Sequence, residues 1–143
     1  MNTKQIGNET EARIIAALIG AGHSISVPFG DNEKYDLVLD TGNELFRVQC
    51  KTGWIEDEVV RFKTASKTTA DGKVVRKGYQ GDVDAFAVRC KETNVLYWIP
   101  IEDTGKKSTY LRLTEPQIDH PSVKLATAYR FDRRFPQYDE SET

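Results

Sequence analysis

Residues 35–52, YDLVLDTGNELFRVQCKT, constrain the fold more tightly than any other stretch of the chain. Two extended, largely apolar runs flank Thr41-Gly42-Asn43, and a short link of that kind signals a tight hairpin. In a strand alternate residues share a face, so Gln49 and Lys51 point together while Val48 and Cys50 point to the other side. A hairpin centred near Gly42 lays the start of the first strand beside the end of the second. Asp36 then approaches Gln49 and Lys51, and an acid, an amide oxygen and an ammonium group meet at one end of a sheet. That set suits Mg²⁺, which prefers oxygen ligands and is commonly held by one or two carboxylates, with waters and phosphate oxygens completing its shell. Such an ion acidifies a bound water and screens charge on a phosphate, and a nearby lysine orients the water or stabilises the transition state. On spacing alone a second reading stands level with this one: Asp36 caps a turn, and Gln49 and Lys51 are ordinary surface residues.

The remaining pattern surrounds the hairpin with a mixed architecture. Ile14, Ile15, Leu18 and Ile19 form an apolar stripe at helical spacing, predicting a helix from Thr3 or Asn8 to Ala21 that Gly20 and Gly22 end. Further extended segments are expected at 24–28, 58–63, 83–90, 95–101 and 110–113, with a short helix at 122–129. One helix, a run of strands and a little more helix predict an α/β fold with a mixed central β-sheet flanked by α-helices. At 143 residues the chain fits a single domain, expected over 1–135, with 136–143 a polar, frayed tail. Glu11 lies three, four and seven residues before Ile14, Ile15 and Leu18, which sets it on the apolar stripe. A carboxylate there is unfavourable unless it is paired, hydrogen-bonded or metal-bound; a slightly different helical register would instead leave it at the edge of that face. Gly7, one turn earlier, leaves room for a close approach by another backbone or a ligand.

Charge needs dividing before it is interpreted. The chain holds 20 basic and 22 acidic residues, a net −2, which on its face speaks against a polyanionic partner. Residues 61–81, however, carry six basic residues and a single acid, a local +5 against −7 for the rest. Such a block is either a solvated face or a binding surface. No apolar run is long enough to cross a membrane, and the first residues lack the apolar stretch of a signal peptide, so a cytoplasmic location is expected. Cys50 and Cys90 have no metal-ligand or disulfide spacing and are expected inside strands. His23 and His120 have no His or Cys nearby.

Gly7-x-x-x-Glu11, Tyr35-Asp36 and Gln49-x-Lys51, in that order, resemble the PD-(D/E)xK nuclease superfamily. The longer wording, IGNETEARIIAALIGAGHSISVPFGDNEKYDLVLDTGNELFRVQCKTG, resembles its group I intron-associated homing endonuclease branch, and archaeal Holliday junction resolvases share the order of motifs. A weaker likeness runs on through KGYQGDVDAFAVRC, VLYWIP and YLRL. The resemblance implies a restriction-endonuclease-like core and metal-dependent hydrolysis of DNA phosphodiesters, with Mg²⁺ the expected ion and Mn²⁺ able to substitute. It implies Asp36 as principal metal ligand, Gln49 giving its amide oxygen where Asp or Glu is usual, and the Cys50 backbone carbonyl as a further ligand. Lys51 becomes the motif lysine, and Glu11 a carboxylate reaching metal through water. Within this fold a structure-specific Holliday junction resolvase stands nearly level with a homing-like enzyme; Gln49 weakens the site by one formal charge, so a DNA-binding module with reduced or lost activity is a further alternative. The homing branch also uses Gln at this position. The basic stretch follows the motif strand, and Arg61, Lys63, Lys67, Lys73, Arg76 and Lys77 become the expected DNA contacts. One small domain offers one active site, so a homodimer, or a homotetramer, is expected for cutting both strands of a duplex or a four-way junction.

Overall fold

The long N-terminal helix begins where Asn2 supplies a complete capping box. Its side chain accepts from the Gln5 backbone N–H at 2.9 Å, and the Gln5 side chain accepts from the Asn2 N–H at 3.1 Å. The helix, α1 (Thr3–Gly20), buries Thr10, Ile14, Ala17 and Leu18. It stops at Gly22, whose φ of +94° is open to glycine. The structure, a computed structural model, describes residues 2–30, 33–70, 73–79, 81–115 and 123–138.

Nine strands follow: β1 (Ser24–Ser26), β2 (Leu37–Asp40), β3 (Leu45–Glu56), β4 (Val59–Lys63), β5 (Ala65–Ala70), β6 (Lys73–Gly78), β7 (Ala85–Cys90), β8 (Leu96–Pro100) and β9 (Ser108–Arg112). Seven form one sheet in the order β1-β2-β3-β4-β9, with β7 pairing β3 and β8 outside β7. The β3–β7 pairing is parallel and the others are antiparallel, so the sheet is mixed, as the pattern predicted. β5 and β6 form a separate two-stranded ribbon from the basic stretch.

The sheet is covered on both faces. All six residues of β7 are buried. Ala85 and Ala87 join Ile14, Leu18, Leu37, Leu39 and Val48 under α1, where small side chains let the helix lie close. Phe86, Val88 and Cys90 face the opposite core with Val60, Phe62, Tyr79, Ile99 and Leu111. A strand buried on both sides loses the apolar–polar alternation and becomes a continuous apolar run.

β3 is longer than the sequence pattern indicated. It passes Thr52 through Gly53, where an added Cβ would lie 3.0 Å from Val88 Cγ1, 3.1 Å from Val60 Cγ1 and 3.2 Å from the Arg61 carbonyl. Gly53 is therefore a close crossing of packed strands and not a break. The expected helix at 122–129 is corrected. Residues 116–122 lie outside the described residues, Leu125 forms a parallel bridge with Arg112, and Ala126–Tyr129 is a 3₁₀ turn. Arg130 is extended, at φ −66° and ψ 148°, and only then does the single-turn helix α2 (Phe131–Arg134) form. Helical spacing serves Phe131 and Phe135, which meet at 5.2 Å and both pack on Trp98. Tyr138 still packs on Phe131, with ring centroids 5.9 Å apart. Residues 139–143 lie outside the described residues.

Candidate active site

The two hairpins on β3 leave an opening between them. β2 pairs with residues 45–48 of β3, and β4 pairs with residues 54–56. The Asp36 N–H donates to the Val48 carbonyl at 2.8 Å, and the Cys50 N–H donates to Asp36 Oδ2 at 2.8 Å. Successive strand residues direct their backbone groups to opposite edges, so residues 48, 50, 52, 54 and 56 all face the β2–β4 edge. The Cys50 carbonyl consequently opens to the same gap as the Asp36 carboxylate. The first hairpin is held in this register by its turn. Gly42 has φ +93°, the Gly42 N–H donates to Asp40 Oδ1 at 2.8 Å, and the Glu44 N–H donates to Thr41 Oγ1 at 3.2 Å.

The structure brings Glu11, Asp36, Cys50 and Lys51 into one electrostatic group. Burial raises the Asp36 carboxyl above its ordinary value, against the lowering effects of the Cys50 N–H and the Lys51 charge. Glu11 is raised by burial and then by the negative charge of Asp36. The Cys50 thiol is pushed well up by burial, Asp36 and Glu11, so its sulfur stays protonated and only its backbone oxygen is a plausible ligand for a hard cation. Gln49 is half-buried on β3, between the Val48 carbonyl and the Cys50 N–H that bond Asp36. Gly7 has nothing within 4 Å of an added Cβ; no backbone of the described residues approaches it.

Lys51 is held by a residue outside the sequence motifs, Tyr79. Its Nζ lies 3.3 Å from the Tyr79 hydroxyl and 5.0 Å from that ring's centroid. Tyr79 is itself buried and set edge-on to Phe86 at 5.3 Å. The available signal was its position as the one aromatic residue between the basic ribbon and β7. Arg89 was also missed, although a charge inside the apolar run AFAVRC requires partners if the run is buried.

The expected nucleic-acid contacts separate into two groups. Lys67 falls on β5, and Lys73, Arg76 and Lys77 fall on β6; the register sets Lys67 opposite Arg76. Lys63, at the end of β4, is exposed. Arg61 is committed within the sheet. Its guanidinium stacks on Tyr110 at 4.5 Å and lies 3.8 Å from Glu56, while its Nε is buried without a partner. Where the ribbon rejoins the sheet, Arg47 donates through Nη2 to Asp84 Oδ1 at 3.2 Å and through Nη1 to the Gly81 carbonyl at 3.0 Å. Burial would push Asp84 up, but these Arg47 contacts bring it below its ordinary value.

The residues at the opening fit a hard divalent cation. Two carboxylates converge without enough positive charge to cancel the burial cost, beside the Cys50 backbone. Among the described residues no three His, Cys, Asp or Glu side chains are grouped so that they alone could hold a metal ion, so thiolate–imidazole zinc chemistry has no ligand set among them. No helix of the described residues is long and apolar enough to cross a membrane.

Residues 1–132 match the family model described as PD-(D/E)XK endonuclease. No curated protein sequence matches. Among solved structures the fold matches that of a bacterial homing endonuclease, I-Ssp6803I, with a TM-score of 0.76 and 23% identity, covering 96% of this chain and 94% of that one.

Proposed function

The chain belongs to the PD-(D/E)XK endonuclease family, and we propose on that premise that it is a metal-dependent, homing-endonuclease-like enzyme hydrolysing phosphodiester bonds in duplex DNA. The observation that carries this reading is the gap in the β3 edge, where the Asp36 carboxylate accepts from the Cys50 N–H beside Lys51 and Glu11. Nucleases of this family generally use divalent metal ions. Asp36, the Gln49 amide oxygen and the Cys50 carbonyl would hold Mg²⁺, or Mn²⁺ in its place, with Glu11 acting through water. When bound, the ion supplies an acidified water and screening of phosphate charge.

The chain's own residues do the rest. Lys51 presents its ammonium to the phosphate as negative charge builds on the equatorial oxygens, where a preplaced donor acts without reorganisation. Tyr79 holds that ammonium from behind with its hydroxyl and ring. Asp36 keeps β3 in register by accepting from the Cys50 N–H. The β5–β6 ribbon carries Lys67, Lys73, Arg76 and Lys77, and a two-stranded ribbon is of a size the major groove admits. Lys63 continues that positive surface at its base. A homodimer, or a homotetramer, supplies the second active site that a double-strand cut requires.

The test is cleavage with Mg²⁺ on a linear duplex, a supercoiled plasmid and a four-way junction. Duplex cutting is expected; cutting confined to the junction replaces this reading with a junction resolvase. Lys51→Ala and Asp36→Asn should each abolish cleavage while DNA affinity stays within a few-fold. Full activity in either variant rejects the site.

A further inference from the structure

Arg89 on β7 is 3% exposed, and two of its three side-chain partners lie on α1, next to Glu11 or one residue further. Its Nε donates to Thr10 Oγ1 at 2.9 Å, and its Nη1 donates to Glu9 Oε2 at 2.6 Å and to Asn94 Oδ1 at 2.8 Å. The Thr10 and Thr52 hydroxyls are bonded at 2.6 Å. Thr10 immediately precedes Glu11 on α1, and Thr52 immediately follows Lys51 on β3. The cluster therefore pins the helix residue next to one candidate site group to the strand residue next to another.

A buried guanidinium is an expensive way to join a helix to a sheet. Its desolvation costs several kcal/mol, and an apolar residue of similar volume often stabilises a core as well or better. What the polar cluster adds is a fixed setting. Helical residues advance 1.5 Å and turn about 100° each, so a one-residue slip of α1 would carry Glu11 off the face that meets Asp36. That juxtaposition is self-opposing before a cation binds, because both groups are acids. We propose that Arg89 is a positioning residue, which locks α1 onto β3 through Thr10 and Thr52 and so holds Glu11 beside Asp36. The proposal rests on the nuclease reading above.

The test uses the full chain carrying Arg89→Met, Arg89→Lys or Thr52→Val, with Mg²⁺ affinity measured calorimetrically, DNA affinity by anisotropy without metal, and single-turnover cleavage well below each melting temperature. Misplacing a reacting group by about 1 Å can cost roughly 10²-fold in rate. The expected outcome for Arg89→Met is a loss of that order in the cleavage rate. Its Mg²⁺ affinity should weaken about tenfold, and its DNA Kd should stay within about twofold. Arg89→Lys, which keeps the charge, should recover part of both losses. Thr52→Val, which cuts the link at an only half-buried site, should reproduce the direction of both effects even if Arg89→Met does not fold. Wild-type rate and Mg²⁺ affinity in folded Arg89→Met or Thr52→Val, with only a lowered melting temperature, would overturn the positioning role. A wild-type protein that neither binds Mg²⁺ nor cuts would instead overturn the nuclease reading on which it stands.

Discussion

Asp36→Asn should leave the protein no less stable at neutral pH while removing its activity. The Asp36 carboxyl is raised above its ordinary 3.8 by burial, and this is the balance left after the Cys50 N–H and Lys51 have lowered it. The ionised form is thus net unfavourable in the folded chain even with its partners counted. The folded state holds that proton more tightly than the unfolded state, so the stability it contributes is present below pH 3.8 and lost as pH rises through the raised folded value. Above that window the charge is a constant penalty. Asparagine is isosteric, keeps an oxygen for the Cys50 N–H and carries no charge. The bond it keeps is neutral and not charge-assisted, a loss of about 1 kcal/mol or less, which the relieved burial offsets. For a chain of 143 residues a change of 1 kcal/mol moves the melting temperature by about 3 °C. Melting curves from pH 3 to 8 with a chelator present should therefore converge at the acid end. At pH 7 the variant should melt at or above wild type. Saturating Mg²⁺ at about ten times its Kd should then raise wild type alone by about 1.4 kcal/mol, or roughly 4–5 °C. A variant that melts more than 3 °C below wild type at pH 7 would refute the reasoning, because the carboxylate would then be a net stabilising group.

Gly53→Ala should destabilise by about 1–3 kcal/mol through overpacking, since its Cβ would meet two valine methyls and a carbonyl within 3.2 Å; chemical denaturation measures it. Glu58→Gly should stabilise by about 1 kcal/mol, because Asp57 and Glu58 occupy the two central turn positions at φ 54° and 64°, a left-handed pair that suits glycine. Replacing Lys67 and Arg76 together by Ala should reduce the salt slope of DNA binding by about 2, whereas Arg61→Ala, whose charge already faces Glu56 and Tyr110, should change it less. Gln49→Glu should tighten Mg²⁺ binding and lower the metal-free melting temperature, since a third acid would join Glu11 and Asp36; isothermal titration and melting with chelator read the two effects separately.

Local signals were the ones legible in the sequence. The Gly42 turn and the alternation of β3 were enough to expect Asp36 beside the Cys50–Lys51 stretch, where the Cys50 N–H and the Lys51 charge act on it, because a hairpin's register follows from its turn and the pleat has a period of two. Glu11 was legible as a misplaced acid on an apolar stripe. What was not legible depends on contacts between distant segments. Tyr79 reaches Lys51 across 28 residues, and Arg89 reaches Thr10 across 79. Such pairings leave no periodic trace. The extension of β3 past Thr52 was hidden because a glycine reads locally as a break, while here its missing side chain admits two neighbouring strands. The 3₁₀ turn at 126–129 was hidden for a related reason, since a single aromatic pair, Phe131 and Phe135, decides where the last helical turn sits.

The opening in β3 is tolerable because each unfavourable term has its own compensation nearby. Cys50 keeps its N–H bonded although neither hairpin strand reaches it, since Asp36 substitutes a carboxylate for the missing strand. The burial that raises Asp36 is partly answered by Lys51, and Lys51 is steadied by Tyr79 on the face opposite α1. The repulsion between Glu11 and Asp36 would favour moving the helix, and the Arg89 cluster ties that helix to β3 and β7. Two tethers, one on each face, hold an edge that lacks strand pairing. The remaining strain is electrostatic and concentrated where a cation would relieve it. A sheet closed continuously from β2 to β4 would satisfy the Cys50 N–H and carbonyl with a strand, but it would displace the Asp36 carboxylate from that edge.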